Sequence, residues 1–129
     1  MSQQEIEVIL ARYLAETLAM AIFIVDPEGD LLYYNEPAEA ILGHRYDETG
    51  PMSASEWSTM FNPEDREGNP IKPQDLPLMI AMTKQHPAHE ILWIRGLDEI
   101  QRKIELTAFP LTVHGQRFLG AMAIFWETE

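Results

Sequence analysis

The first apolar residues along the chain recur at helical spacing. Ile6, Ile9, Leu10, Tyr13 and Leu14, followed by Thr17, fall on one side, while Glu5, Arg12 and Glu16 fall on the other. That is the period of an amphipathic helix. Ser2-Gln3-Gln4-Glu5 opens it as a capping box, in which a hydroxyl and a carboxylate satisfy the first free N–H groups. The spacing predicts a helix over residues 3–18.

The pattern then shortens. Ala21 to Val25 and Leu31 to Tyr34 are brief apolar runs separated by Asp26-Pro27-Glu28-Gly29-Asp30. Proline presets a turn dihedral and glycine accepts positive φ, so the stretch predicts a β-hairpin. Asn35 is placed to cap a short helix over residues 36–42, which Gly43 ends. Ser53-Ala54-Ser55-Glu56 is a second capping box, with Trp57, Met60 and Phe61 as the apolar face behind it. Residues 62–73, rich in proline, glycine and charge, predict a loop. Asp75 is expected to cap a helix over 76–85, buried through Leu78, Met79 and Met82 and ended by Pro87.

Three strands are expected in the last third, over roughly 88–95, 101–109 and 117–126, with turns at Gly96-Leu97-Asp98 and His114-Gly115-Gln116. In the third, Phe118, Met122, Ile124 and Trp126 alternate with Leu119, Ala121, Ala123 and Phe125. A strand apolar on both sides belongs to a sheet covered on both faces. The central helices cover one face. The N-terminal helix, from the same chain or from a second copy, is the candidate for the other. The order predicts an α+β domain built on a five-stranded antiparallel sheet.

Composition narrows the function classes. The length, 129 residues, suits one domain with a proper core. Net charge is −12, concentrated before residue 66, and a surface this acidic repels phosphate backbones. It predicts no direct nucleic-acid binding. The chain has no cysteine, which excludes a disulfide framework, a thiol nucleophile and thiolate metal sites. No signal peptide is visible, and no apolar run approaches the ~20 residues of a membrane span. A cytoplasmic setting is expected. Gly-x-Ser-x-Gly, phosphate-loop and His-Glu-x-x-His motifs are absent. The acidic pairs Asp47-Glu48, Glu64-Asp65 and Asp98-Glu99 are sequence neighbours in expected loops or turns, without the contrasting environments of a catalytic pair. A non-enzymatic role is expected.

The segment from Asp26 to Asn35 resembles the PAS domain, whose pattern here is an aspartate, a glycine turn, a strand and an asparagine. Ala38, Leu42 and Gly43 continue it. So do Asp75-Leu76-Pro77-Leu78, Trp93-Ile94-Arg95, Ala108-Phe109-Pro110-Leu111 and Gly120-Ala121. The chain is similar to PAS domains of bacterial sensor kinases and regulatory phosphatases from about Leu18 onward. The resemblance implies strand order 2-1-5-4-3, a pocket between the helices and the inner sheet face, and an N-terminal helix on the outer face that pairs two chains. Residues 1–19 would then be a dimerising or capping helix and residues 20–129 the PAS domain. Asp26, Gly29, Asn35 and Gly43 are expected to be fold determinants rather than ligand contacts.

The family's cofactors are a poor match. Flavin photochemistry of the cysteine-dependent kind is excluded by composition. The expected helix 76–85 holds no histidine for haem; His86 and His89 follow it, and two histidines alone are a weak case for haem or metal. His44 and His114 fall in expected loops. No cofactor or metal is predicted. Trp57, Met60, Leu78, Met82, Trp93, Leu106 and Met122 either line a cavity for a small apolar or amphipathic ligand or fill a core. Ile6, Ile9, Leu10, Tyr13 and Leu14 are the dimer-interface candidates. The family's closing Asp-x-Thr motif is represented at most by Glu127-Thr128. The expected function is a sensory or regulatory module, homodimeric, acting on a signalling partner in trans or through a further output domain. A ligand-free docking domain is the alternative, and a small α+β enzyme a distant third.

Overall fold

The computed structural model describes residues 20–113 and 117–128. The helix expected over 3–18, with its interface candidates, and the turn at His114-Gly115-Gln116 lie outside the described residues. The elements in chain order are β1 (Ala21–Val25), β2 (Leu31–Tyr34), α1 (Glu36–Leu42), α2 (Tyr46–Thr49), α3 (Ala54–Met60), a 3-10 turn (Pro73–Asp75), α4 (Pro77–Lys84), β3 (Ala88–Arg95), β4 (Gln101–Val113) and β5 (Arg117–Glu127). The strands form one antiparallel sheet in the order β2-β1-β5-β4-β3.

Local chemistry sets the early elements. Asp26 Oδ1 accepts the Glu28 and Asp30 amides and folds the β1–β2 turn. Asn35 caps α1, its Oδ1 accepting the Ala38 amide at 3.2 Å and the Ile22 amide at 2.9 Å. Its Nδ2 donates to the Met20 carbonyl at 2.8 Å. One buried amide thus ties the start of β1 to the start of α1. Gly43 ends α1 in the left-handed region at φ 78°, and the Ser53–Glu56 capping box opens α3. Gly29, at φ 90°, donates its amide to the Asp26 carbonyl and completes the turn, so Asp26, Gly29, Asn35 and Gly43 all hold backbone geometry in the fold.

Three expectations need correction. Asp75 does not cap the fourth helix: it closes a 3-10 turn, and Leu76 is the N-cap. Pro77 at the first helical position forces Leu76 into an extended conformation, which moves the boundary on by one residue. The helix ends at Gln85, left-handed at φ 54°, before Pro87 is reached. β4 does not stop at Phe109 but runs through Pro110 to Val113. β3 begins opposite Ala108, so beyond that point β4 has one open edge, where proline is tolerated. The short helix α2 was not foreseen.

The two faces of the sheet are both apolar near β1 and β5. Ala21, Phe23, Val25, Ala121, Ala123 and Phe125 face the helices and share a core with Ala38, Trp57, Leu78 and Ala81. Ile22, Ile24 and Met122 face the other way and pack with Leu32, Tyr33, Phe109, Leu111 and Ile124. A bulge at Leu32 lets Leu31 and Tyr34 both turn inward while Leu32 and Tyr33 turn outward. A second bulge, at Leu119, precedes Gly120. Gly120 has φ 126°, and a Cβ there would lie 2.1 Å from the Val25 carbonyl oxygen. Close approach of the β1–β2 turn to β5 therefore requires glycine.

Gly120→Ala is expected to cost at least about 2–3 kcal/mol in urea unfolding, through steric conflict added to backbone strain. Gly68→Ala carries a positive φ but meets nothing within 4 Å, and should cost about 1 kcal/mol. Equal losses would contradict the close-approach reading.

Candidate functional site

Between the inner sheet face and the helices lies a cavity of about 80 Å³. α3 and its C-cap contribute Trp57, Ser58 and Phe61, the α4 entry Leu76 and Leu78, and the strands Phe23, Leu92, Ile94, Leu106 and Phe125. A helix advances about 100° per residue, so Trp57, Phe61 and Ser58 share one arc while Met60 falls outside it. Among the described residues, no side chain lining the cavity is charged.

Trp57 is the pivot of this wall. Its ring meets Phe23 edge-on at 5.4 Å, and its Nε1 donates to the Gly29 carbonyl at 2.7 Å. The cavity is thus joined to the β1–β2 turn by one side chain. Phe23 stacks on Tyr34 at 6.0 Å. The Tyr34 hydroxyl donates to the His44 carbonyl and meets Thr49 Oγ1. Burial is the main cause that raises the Tyr34 phenol above its ordinary value. The Tyr46 hydroxyl donates to the Leu32 carbonyl and holds α2 against β2.

Of the seven residues expected to line a pocket, Trp57, Leu78 and Leu106 do so. Met60 and Met82 pack on the inner core without lining the cavity, Met82 lying against Gly29. Met122 is on the opposite face of the sheet, opposed to Ile24 and Phe109. Trp93 alternates with the inward Leu92 and Ile94 and carries Lys103 Nζ 5.6 Å from its ring centre. Apolar alternation on both sides leaves the choice of face open, which is why these two were misplaced. Ser58 was missed because it is polar, although it adjoins Trp57 and precedes Phe61 by three, which places it on their arc.

The cavity does not fit haem or flavin. No histidine or cysteine lines it, and about 80 Å³ is well below the roughly 300 Å³ at which cofactor sites begin. His86 is exposed, with Nδ1 3.0 Å from the Pro87 carbonyl oxygen. His89 lies on β3 between Thr107 Oγ1 at 2.7 Å and Glu105 at 3.0 Å. Among the described residues, no three His, Asp or Glu side chains cluster for a metal, and no helix is long and apolar enough to cross a membrane.

The end of β5 is tied down separately. Arg102 on β4 reaches Asp98 in the β3–β4 turn at 2.8 Å, the Ile41 carbonyl at the end of α1 at 2.8 Å, and Glu127 at 3.4 Å. Hydrogen bonds from Arg102, then from the Ile100 amide, hold the Asp98 carboxyl at about 2, below its ordinary 3.8. A lowered folded-state value means that the stabilisation is complete above the ordinary carboxylate range. It drains away as pH falls through 3.8 towards about 2. Wild type should therefore exceed Asp98→Asn in urea-melt stability at about pH 6, with the gap closing by about pH 2. A gap independent of pH would contradict the ion-pair assignment.

A PAS-domain family model matches residues 10–77, just over half of the chain. Among solved structures, the PAS domain of an HTR-like protein from Haloarcula marismortui superposes with a TM-score of 0.62 at 17% identity, covering 98% of this chain and 97% of that one. The PAS domain of nitrogen regulation protein NR(II) from Vibrio parahaemolyticus gives 0.63 at 16% identity, over 92% and 98%. A LOV protein from Rhodobacter sphaeroides gives 0.72 at 12% identity, over 99% and 69%. No curated protein matches the chain. At these identities the structures speak for the fold, and the family model speaks for kinship. The chain belongs to the PAS-domain family of sensory and signalling modules.

Proposed function

We propose that this chain is a homodimeric sensory module that reads a small molecule in the inner cavity and reports it through the outer face of the same sheet. The observation that carries the reading is the two-sided burial of β1 and β5. Their inward residues wall the cavity through Phe23 and Phe125. Their outward residues Ile22, Ile24 and Met122 are 0%, 1% and 4% exposed. Among the described residues, that outer cluster contains strand residues and no helix residue. Burial this complete at the centre of a sheet face needs a covering layer.

The cover is proposed to be the apolar stripe Ile6, Ile9, Leu10, Tyr13 and Leu14, packed so that two chains associate through it. A molecule in the cavity would bias that packing by its differential affinity for two arrangements of the helix on the sheet. Output to a signalling partner would leave through the Arg102 junction, where Glu127 stands near the family's closing aspartate. The role is non-enzymatic and cytoplasmic, without bound metal, haem or nucleic acid. The acidic surface speaks against nucleic acid, and the uncharged cavity lining against a metal or an acid–base pair there.

Native mass spectrometry of the full chain and of Ile9→Asp/Leu10→Asp tests the association. Wild type should run as a dimer, and the double variant as a monomer with unchanged sheet signal in circular dichroism. A monomeric wild type, or a variant that stays dimeric, would overturn the interface.

A further inference from the structure

An open strand edge offers unpaired N–H and C=O groups to any extended chain that meets it. This sheet closes much of its rim. On β2, the Leu31 amide donates to the Met52 carbonyl at 2.7 Å, and the Leu32 carbonyl accepts the Tyr46 hydroxyl. On β3, the Arg95 amide donates to the Phe61 carbonyl at 2.7 Å, and Trp93 exchanges two bonds with Glu64, at 2.8 and 3.0 Å. Where β4 runs past β3, Pro110 takes a position whose N–H would point to the open side. The first half of β3 has no such cover. Alternate residues of an antiparallel strand point their backbone groups the same way, so His89 and Ile91 point away from β4, as Trp93 does. The Ile91 amide meets Glu90 Oε1 at 3.3 Å, longer than an ordinary N–H···O bond. The His89 amide and the His89 and Ile91 carbonyls have no partner among the described residues.

From this we infer that the β3 edge at His89 and Ile91 docks an extended basic segment of a partner protein, which adds to the sheet as a further strand. The edge opens onto a groove whose other wall comes from the loop that precedes α4. Asp65, Glu67, Asp75 and Glu90 stand around it against Arg66 and Lys72, four carboxylates to two cations, a balance of −2 with His89 neutral. A second copy of this chain would bring the same negative groove to the same edge, so charge disfavours self-pairing and favours a basic chain. Strand periodicity sets the pattern of that chain. A residue opposite Ile91 shares the face of a partly buried apolar side chain, and its neighbours share the face of the exposed Glu90. The segment therefore alternates lysine or arginine with an apolar residue. Main-chain bonds supply its affinity and the alternate side chains its selectivity. This docking edge is separate from the inner cavity and does not depend on a ligand there.

The probe is an acetylated, amidated hexapeptide that alternates lysine with valine, set against one that alternates glutamate with valine. Amide hydrogen exchange of the full-length protein, read by NMR, follows the edge residue by residue. Without peptide, His89 and Ile91 should exchange fast, while Glu90 and Leu92, which point to β4, exchange slowly. The lysine peptide, at about ten times its Kd, should slow His89 and Ile91 about tenfold, and its binding should weaken as salt rises. The glutamate peptide should protect neither. Ile91→Pro removes the edge N–H without touching a bond to β4, and should weaken the lysine peptide by at least about threefold. Glu90→Lys, on an exposed side chain, should weaken it too. No protection at millimolar lysine peptide, or equal protection by both peptides, would overturn the inference. So would protection of both amides in the peptide-free protein that disappears on dilution, which would assign the edge to a second copy of the chain.

Discussion

The pairing of β1 with β5 is the constraint on which the other elements depend. These two strands lie at the middle of the sheet, and each buries side chains on both faces. A fully buried Ile or Phe contributes about 1.5–3 kcal/mol relative to exposure, so an apolar pair on two faces cannot be left half wet. Helices must cover the inner face, and a further layer must cover the outer one. Gly120 marks how closely the two strands approach, because the Val25 carbonyl occupies the space where a side chain would begin.

Three polar anchors place the helical block on that ladder. Asn35 joins β1 to α1, Trp57 joins α3 to the β1–β2 turn, and Arg102 joins the end of α1 to the β3–β4 turn and to β5. Each is a side chain reaching a backbone group well separated in sequence, so each fixes position more than it adds energy. Together they frame the cavity. Its size is the gap left when α3 is held by Trp57 at one end and the α4 entry is set by Pro77 at the other. Because Trp57 bonds the Gly29 carbonyl, a displacement of its ring would move the β1–β2 turn, and through it the strand whose other side carries Ile22 and Ile24. That is the physical route by which an inner event would reach the outer face.

Much of this was legible where local chemistry decides. The Asp26–Asp30 turn, the Asn35 cap, the Gly43 stop and the Ser53–Glu56 box all depend on residues within a few positions of one another. Their structures match the expectation. The five strands and their order followed from alternation together with the family resemblance. What was not legible depends on pairing between distant segments. Whether Met122 or Ala123 faces the helices is set by register against β1 and β4, and a one-residue choice reverses every side chain. The bulge at Leu32 and the open edge beside Pro110 are also products of pairing. Ser58 was invisible for a different reason: a serine in a short amphipathic helix reads as solvent-facing until its neighbours close around it.

The most direct test of two-sided burial is the unfolding free energy of Ile24→Thr, measured in urea on the full chain. Threonine keeps the β-branched shape and strand preference, so the substitution reports the surroundings of the outward side chain rather than the strand itself. With the outer face covered, replacing the ethyl branch of Ile24 with a hydroxyl in an apolar layer should cost roughly 2 kcal/mol or more. A loss below about 0.5 kcal/mol is what an exposed position gives, and would mean that the outer face of β1 lies open to solvent.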